Sequence, residues 1–204
     1  MSEPAHPLTF LDDGEQTWPA QGHWTYEDYL RLPDDGRRYE VIRGVLYVSP
    51  SPRCEHQYAA LRFAMIVGTF VLEQRLGLLL PAPFDVILSN IATPVQPDFV
   101  FIRSGRGPRP RDSQFRGVPN LVVEILSPGN RRYDQELKLD VYQDAGVAEY
   151  WLIDPMARTV VIYALGENRR YAELDRGGEG ETVRSRVLEG LSLQVGDLFL
   201  PERG

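Results

Sequence analysis

Glu124 is an acidic residue inside an otherwise apolar strand pattern, because every other residue from 121 to 126 is Leu, Val or Ile. A segment that is apolar on both faces is typical of a strand in the middle of a sheet. Burying a lone carboxylate costs several kcal/mol. Glu124 therefore requires a metal ion, a proton or a cation, and an ion pair with one of the many arginines is the structural alternative.

Asp98 is a second unusual acid, because it directly follows Pro97 and opens a short apolar strand. Taken alone, it is typical of a turn-capping aspartate. Together, Asp98 and Glu124 near the ends of neighbouring strands could hold one divalent cation through oxygen atoms. Such a metal ion polarises a phosphodiester and lowers the pKa of an attacking water. The pair therefore predicts a metal site for phosphate chemistry, with the Ile125 carbonyl as a further ligand.

Lys138 is the single lysine in a chain whose other 21 basic residues are arginine. An ammonium is compact, and a planar guanidinium does not replace it at a tightly packed position. Lys138 follows Glu124 by 14 residues on a predicted helix, from which it could reach the strand end and stabilise developing negative charge. The alternative is a surface pair with Asp134 that contributes a few tenths of a kcal/mol.

The composition is that of a globular protein. The chain has 204 residues, 43% of them hydrophobic and 25% charged, which excludes a fully disordered chain, a collagen and a coiled coil. No apolar run reaches the roughly 18 residues of a membrane helix, and we expect no signal peptide. The chain has a single cysteine, Cys54, and therefore no intrachain disulfide. With only three histidines in addition, we expect no structural zinc cluster.

Charge is unevenly distributed along the chain. The net charge is −7, which argues against a protein that coats nucleic acid. Residues 103–132 nevertheless carry +5, so the remainder carries −12. We expect this segment to contact phosphates through Arg103, Arg106, Arg109, Arg111, Arg131 and Arg132.

The elements that must position these residues can be read from turn signals and periodicity. Residues 1–22 are predicted to be a loose arm, and residues 23–204 one domain. A short helix capped by Thr25 precedes a hairpin over 39–48. The longest helix is predicted over 55–76, where the apolar residues Tyr58, Leu61, Met65, Val71 and Leu72 roughly keep a spacing of three to four.

The second half of the chain alternates strands with one helix. Strands are predicted at 78–82, 84–88, 98–102 and 121–126, with a loop over 103–119. A helix capped by Asn130 is predicted to run to about residue 144, with an apolar stripe of Leu137, Val141 and Ala145. Strands at 150–153 and 159–165 precede a late hairpin between 171–174 and 182–187. A central mixed sheet flanked by helices, of the α/β (α+β) class, is the economical packing.

Six motifs occur in an order that resembles a known family. They are YEVIRG at 39–44, EHQ at 55–57, VQPD at 95–98, PNLVVEILSP at 119–128, RRYD at 131–134 with Lys138 and Tyr142, and GVAEYWLIDP at 146–155. Together they are similar to the Uma2 family of restriction-endonuclease-like proteins, within the PD-(D/E)XK nuclease superfamily. The resemblance covers about residues 24–165, with a further element at 190–193.

The resemblance implies a restriction-endonuclease-like core of a helix, three strands, a helix and a strand at 55–76, 78–89, 98–102, 121–126, 131–145 and 150–154. It implies that Asp98 and Glu124 bind the metal. The superfamily lysine would stand at 126, where this chain has Leu, and Lys138 matches a lysine displaced to the next helix. Glu40 matches as another acid, with His56, Gln57 and Asp85 as possible support.

These observations favour a Mg²⁺- or Mn²⁺-dependent endonuclease that cleaves DNA. A non-catalytic nucleic-acid-binding or regulatory module on the same fold is one alternative, and a hydrolase of a smaller phosphate ester is another, since fold does not determine function. We expect a cytoplasmic protein and, because a duplex has two strands to cleave, a homodimer.

Overall fold

A computed structural model describes residues 18–49, 51–89, 92–127 and 133–201 of the chain. The helices are α1 (Tyr26–Tyr29), α2 (Cys54–Glu73) and α3 (Leu139–Ala145), with a π-helical turn over Tyr133–Lys138 and a 3₁₀ turn over Val195–Leu198. No helix in these ranges is long and apolar enough to cross a membrane.

The strands follow in chain order. They are β1 (Arg38–Ile42), β2 (Val45–Ser49), β3 (Gly77–Pro81), β4 (Asp85–Leu88), β5 (Ala92–Val95), β6 (Phe99–Arg103), β7 (Gln114–Arg116), β8 (Leu121–Ile125), β9 (Glu149–Asp154), β10 (Thr159–Leu165), β11 (Tyr171–Gly178), β12 (Thr182–Arg184) and β13 (Ser192–Gln194).

A six-stranded mixed sheet in the order β11-β10-β9-β8-β6-β3 forms the centre of the fold. Only β8 and β9 pair in parallel within it, and α3 lies in the crossover that joins them. All five residues of β8 are buried, so the central position predicted for this strand is confirmed. The mixed α+β class is confirmed as well, although a second sheet accompanies the first.

The second sheet has five strands in the order β2-β1-β5-β4-β7. It packs with α3 against one face of the six-stranded sheet through an apolar cluster that includes Val100, Val122 and Val141. On the opposite face, α2 and the C-terminal segment pack through Phe63, Phe99 and Leu193. The sheet that carries Glu124 is therefore covered on both faces.

The β1–β2 hairpin is confirmed, and its turn organises the chain before it. Arg43 and Gly44 both have positive φ, as a two-residue hairpin turn requires. The Gly44 carbonyl accepts hydrogen bonds from the backbone of Gly22 and Trp24 at 2.8 and 2.9 Å, and a Cβ on Gly44 would lie 2.4 Å from the Gly22 oxygen. Residues 18–22 of the predicted arm thus pack on the hairpin, while residues 1–17 lie outside the described residues.

The apolar positions that predicted α2 do not form its buried face. Leu61, Met65 and Leu72 are exposed, and Val71 is the one fully buried member of that set. The buried face consists of His56, Ala59, Phe63, Val67 and Val71. Apolar residues occur around most of this helix, so periodicity alone could not identify the face that meets the sheet.

Three further features of the fold differ from the prediction. The strand that the resemblance implies over 78–89 is divided, because β3 joins the six-stranded sheet and β4 the other. The predicted loop 103–119 contains β7, which pairs with β4. The predicted late hairpin does not form, because β11 pairs with β10 and β12 pairs with β13. The capping residue Asn130 lies outside the described residues.

Candidate active site

Asp98 and Glu124 lie side by side at one end of the six-stranded sheet. In the antiparallel β6–β8 pair, Phe99 is opposite Val123, so the next positions outward are Asp98 and Glu124. Residues directly opposite each other in an antiparallel pair have Cβ atoms about 5 Å apart. Asp98 and Glu124 expose only 6% and 3% of their surface. The structure therefore brings the two acids together at neighbouring strand ends.

Glu40 joins these acids from the second sheet. It lies on β1, which pairs with β5, and the backbone N–H of Gln96 donates to Glu40 Oε1 at 2.7 Å. Gln96 lies between β5 and Asp98, so this hydrogen bond ties Glu40 to the segment that leads from one sheet to the other. Glu40 is 1% exposed.

Lys138 bridges two of the three carboxylates. Its Nζ lies 3.1 Å from Glu40 Oε1 and 2.9 Å from Glu124 Oε1. Lys138 ends the π-helical turn and is 3% exposed, so it is not a surface lysine. Tyr142, one helical turn later, donates its hydroxyl to Glu124 Oε1 at 2.6 Å. The cation that Glu124 requires is therefore Lys138 rather than an arginine.

Asp98 is held by three donors. The Ile125 backbone N–H donates to Oδ2 at 2.8 Å, and Arg38 donates to Oδ1 at 3.2 Å. His56 Nε2, near the start of α2, lies 3.1 Å from Oδ2. Burial by itself would raise the pKa of Asp98, but the His56 interaction, the Arg38 charge and the Ile125 hydrogen bond outweigh it and hold the pKa well below its ordinary value.

Glu124 has the opposite electrostatic environment. Burial raises its pKa to about 7, and the charges of Asp98 and Glu40 act in the same direction, against the attraction of Lys138. Two neighbouring acids therefore differ in protonation behaviour, a contrast that is common in functional sites. The three acids Glu40, Asp98 and Glu124 are thus paired with two basic side chains, Lys138 and Arg38.

A cleft of about 1330 Å³ opens beside Asp98. Arg38, His56, Gln96 and Asp98 contribute to its lining, and so does the exposed Gln57. Its remaining walls come from α1 and the loop after it, from α2 and from the loop between β3 and β4. The cleft exceeds the roughly 300–1,000 Å³ of a small-molecule pocket.

Asp85 lies behind this site in a hydrogen-bond network. Its Oδ1 accepts from Gln96 Nε2 at 2.7 Å and from the Tyr29 hydroxyl at 3.1 Å. Burial raises the pKa of Asp85. The network supports Gln96, which in turn contacts Glu40, so Asp85 is placed to support the site rather than to line it.

The exposed arginines after β6 lie away from the acids. Arg103 ends a strand that begins beside Asp98, which separates the two residues by about 17 Å at 3.3 Å per residue. The Arg103 guanidinium donates to the Val187 carbonyl at 3.2 Å. Arg106, Arg109 and Arg111 follow in the exposed loop, whereas Arg131 and Arg132 lie outside the described residues.

The donor set suits a hard divalent cation bound by few protein ligands. Among the described residues, no group of three or more His, Cys, Asp and Glu side chains has the arrangement of a metal cluster. Mg²⁺ commonly uses only one or two carboxylates and keeps several waters. Asp98 and Glu124 supply such a pair next to the Ile125 backbone, and the excess negative charge provides a reason for a cation.

Arg38 and Tyr142 are site residues that the sequence analysis did not select. Arg38 stands two residues before Glu40 on the same strand, and alternate residues of a strand share a face. This spacing could have identified Arg38. Tyr142 stands four residues after Lys138 on one helical face, so the same reasoning applies to it.

Comparison with known proteins identifies the fold and the family of this chain. A solved crystal structure described as "a putative nuclease belonging to DUF820 from Anabaena variabilis" has a TM-score of 0.73 and 23% identity. The match covers 86% of this chain and 97% of that chain, so the two share a fold. No curated protein matches the chain. The model of a family described as "Uma2: Putative restriction endonuclease" matches residues 26–196, and the chain belongs to the Uma2 family.

Proposed function

We propose that this chain is a metal-dependent endonuclease that hydrolyses phosphodiester bonds of DNA. The observation that carries the proposal is the buried group of Glu40, Asp98 and Glu124 with Lys138 between two of them, a group whose member Asp98 lines an open cleft. Burial of three acids beside Lys138 and Arg38 stabilises the fold poorly. Such an arrangement is expected where a site is built for chemistry.

Asp98 and Glu124 would hold Mg²⁺ or Mn²⁺, with the Ile125 carbonyl as a further candidate ligand. A bound metal ion supplies Lewis acidity and a more acidic water. Arg38 and His56 keep the Asp98 carboxylate ionised and oriented, as its depressed pKa indicates. Orientation by residues around the ligands commonly determines how well a metal site works.

Lys138 is the candidate catalytic cation. Its ammonium is fixed by two carboxylates on different elements, so it requires no reorganisation to stabilise negative charge that develops on a phosphate. Leu126 occupies the place of the superfamily lysine, and Lys138 provides the same functional group from the following helix. Glu40 positions this lysine from the second sheet.

A nucleic acid is the substrate that the surroundings favour. The cleft is larger than a small phosphate ester needs. The arginine-rich segment supplies exposed cations along the chain that leaves β6, where they could follow a phosphate backbone beyond the site. We place the protein in the cytoplasm, as a homodimer that presents one site to each strand.

Calorimetry with Mn²⁺ tests the metal site separately from activity. Wild-type protein should bind one or two ions, and Asp98→Asn with Glu124→Gln should abolish the binding. Asp144→Asn is the matched control, because Asp144 is a half-exposed acid whose partner is Arg43. Unchanged binding by the double variant would contradict the proposed ligands.

Cleavage assays then separate the candidate functions. A plasmid and a fluorescent nucleotide ester are offered in Mg²⁺ to the wild type and to Asp98→Asn. We expect cleavage of the plasmid only, and loss of that cleavage in the variant. Cleavage of the ester alone would favour a small phosphoester hydrolase. Metal and DNA binding without any cleavage would favour a regulatory module.

A further inference from the structure

The outward face of α2 is apolar and has no covering element among the described residues. Leu61, Met65 and Leu72 expose 58%, 53% and 74% of their surface. Tyr58 lies half-buried on the same face, and Gly68 lies at its edge, where a Cβ would be 3.7 Å from Leu79 of β3. The positions 58, 61, 65, 68 and 72 alternate steps of three and four residues, which is the pattern of a helix that packs lengthwise on another helix.

This face is complementary to itself in the antiparallel direction. Around a two-fold axis at Met65, Tyr58 of one copy meets Leu72 of the other, and Leu61 meets the small residues Gly68 and Thr69. A large side chain opposite a small one allows close helix packing. A parallel alignment would instead place each residue opposite its own copy, with Leu61 against Leu61 and Gly68 against Gly68.

Charge at the helix ends distinguishes the two directions. Glu55 is exposed near the start of α2, and Arg75 is exposed just after its end. The antiparallel arrangement places Glu55 opposite Arg75 of the other copy, twice per dimer. The parallel arrangement places Glu55 against Glu55 and Arg75 against Arg75, which is unfavourable.

We propose that α2 packs antiparallel on α2 of a second copy of this chain, about a two-fold axis at Met65. Leu61 belongs to this face and also lines the cleft, so the second copy borders the cleft. At 1.5 Å per residue, the two His56 residues are about 27 Å apart along the helix axis. This interface is the contact surface of the proposed homodimer, and its formation does not depend on the proposed nuclease activity.

Sedimentation velocity over a range of concentrations tests the surface. The wild type should be a dimer, and Met65→Arg should be a monomer because it places two like charges on the two-fold axis. Met156→Arg is the matched control, since Met156 is also exposed, at 64%, and lies on the turn between β9 and β10. A wild-type monomer, or a Met65→Arg dimer, would overturn the interface whether or not the protein cleaves DNA.

A charge exchange tests the direction of packing. Glu55→Arg and Arg75→Glu should each weaken the dimer at least about tenfold, and the double variant should regain wild-type affinity. Rescue requires that the two positions face each other across the interface. No rescue in a folded double variant would overturn the antiparallel arrangement.

Cys54 provides a distance measurement without further mutation, because it is the only cysteine and is exposed. Two spin labels on Cys54 should be about 33 Å apart along an antiparallel pair of helices. A parallel pair would bring the two labels to the same end of the dimer. A short distance would therefore overturn the proposal.

Discussion

Lys138 connects two sheets and a helix through a single ammonium group. Its Nζ contacts Glu40 from β1 and Glu124 from β8. Burying one cation between two carboxylates is costly unless each group is satisfied, and the Tyr142 hydroxyl provides a further hydrogen bond to Glu124. A residue in this position affects both stability and the electrostatics of the site.

Replacing Lys138 by Arg should damage activity almost as much as replacing it by Met. A planar guanidinium does not fit between oxygens that lie 3.1 and 2.9 Å from the lysine nitrogen. A displacement of about 1 Å can cost roughly 100-fold in rate. Single-turnover plasmid cleavage measures the effect. Arg43→Lys, at a half-exposed ion pair, should retain activity, and full activity of Lys138→Arg would remove the lysine from the mechanism.

The Asp98 interactions predict a pH-dependent contribution to stability. Because the folded-state pKa of Asp98 is lowered, its contribution is present above the unfolded value of about 3.9 and is lost as the pH falls through the folded value. The stability gap between the wild type and Asp98→Asn should therefore narrow below about pH 4, by up to about 1.4 kcal/mol per pH unit.

Urea unfolding of both proteins between pH 3 and pH 7 measures this gap, with Asp144→Asn as the surface control. Asp144→Asn should differ little from the wild type in its free energy of unfolding, and this difference should not narrow as the pH falls. A gap for Asp98→Asn that stays constant down to pH 3 would show that Asp98 is not stabilised as a carboxylate.

At the scale of elements, Glu149 fastens the C-terminal segment to the sheet. It is fully buried at the start of β9 and accepts hydrogen bonds from the Trp151 indole, the Ser185 hydroxyl and the backbone of Arg186 and Val187 at 2.6–3.0 Å. Residues after Val187 then cover one face of the sheet. This buried acid is satisfied by neutral donors, whereas the acids of the site pair with Lys138, Arg38 and His56.

Glu149→Ala should lower the free energy of unfolding by at least about 3 kcal/mol, because several buried donors lose their acceptor. Hydrogen exchange should increase over residues 185–199 before the rest of the chain opens. Glu173→Ala, which removes an exposed acid paired with Arg176, should cost less than about 1 kcal/mol. Uniform exchange in Glu149→Ala would argue against a local clamp.

The loop after β6 carries three exposed arginines that could contact DNA phosphates. Each phosphate neutralised on B-DNA adds roughly 0.9 to the slope of log affinity against log salt. Replacing Arg106, Arg109 and Arg111 by Ser should therefore flatten the slope measured by fluorescence anisotropy. Arg169→Ser and Arg170→Ser, on a different exposed turn, serve as controls. An unchanged slope would place the DNA-binding surface elsewhere.

For the whole molecule, the site lies where two sheets and two helices meet. Glu40 comes from one sheet, Glu124 comes from β8 of the other, Asp98 directly precedes β6, and His56 and Lys138 come from helical segments. A ligand that joins these elements should stabilise the entire fold, because binding to the native state alone shifts unfolding by mass action.

Manganese should accordingly raise the melting temperature of the wild type and have no effect on Asp98→Asn/Glu124→Gln. A metal concentration of 100 times the Kd corresponds to about 2.7 kcal/mol. Differential scanning calorimetry with and without a chelator measures this shift. Equal shifts in both proteins would indicate binding outside the proposed site.

Several features of the site could be predicted from single residues. Glu124 was identifiable because a charged residue in an apolar strand requires a partner. Lys138 was identifiable because one lysine among arginines suggests a need for a compact cation. Arg38 and Tyr142 were also within reach of the strand and helix periodicities, but many surface residues satisfy the same periodicities.

The sequence by itself determined the β1–β2 hairpin, the existence of α2, the central position of β8 and the identity of the unusual acids. These depend on apolar patterning and turn residues, which act over a few positions. Only the tertiary structure decided which face of α2 is buried, that β3 and β4 enter different sheets, and that Glu40 shares Lys138 with Glu124. Those outcomes depend on packing between segments that are far apart in the chain. Many local patterns are compatible with the same core, and the native arrangement is the one that buries the most apolar surface while every buried polar group keeps a hydrogen-bond partner.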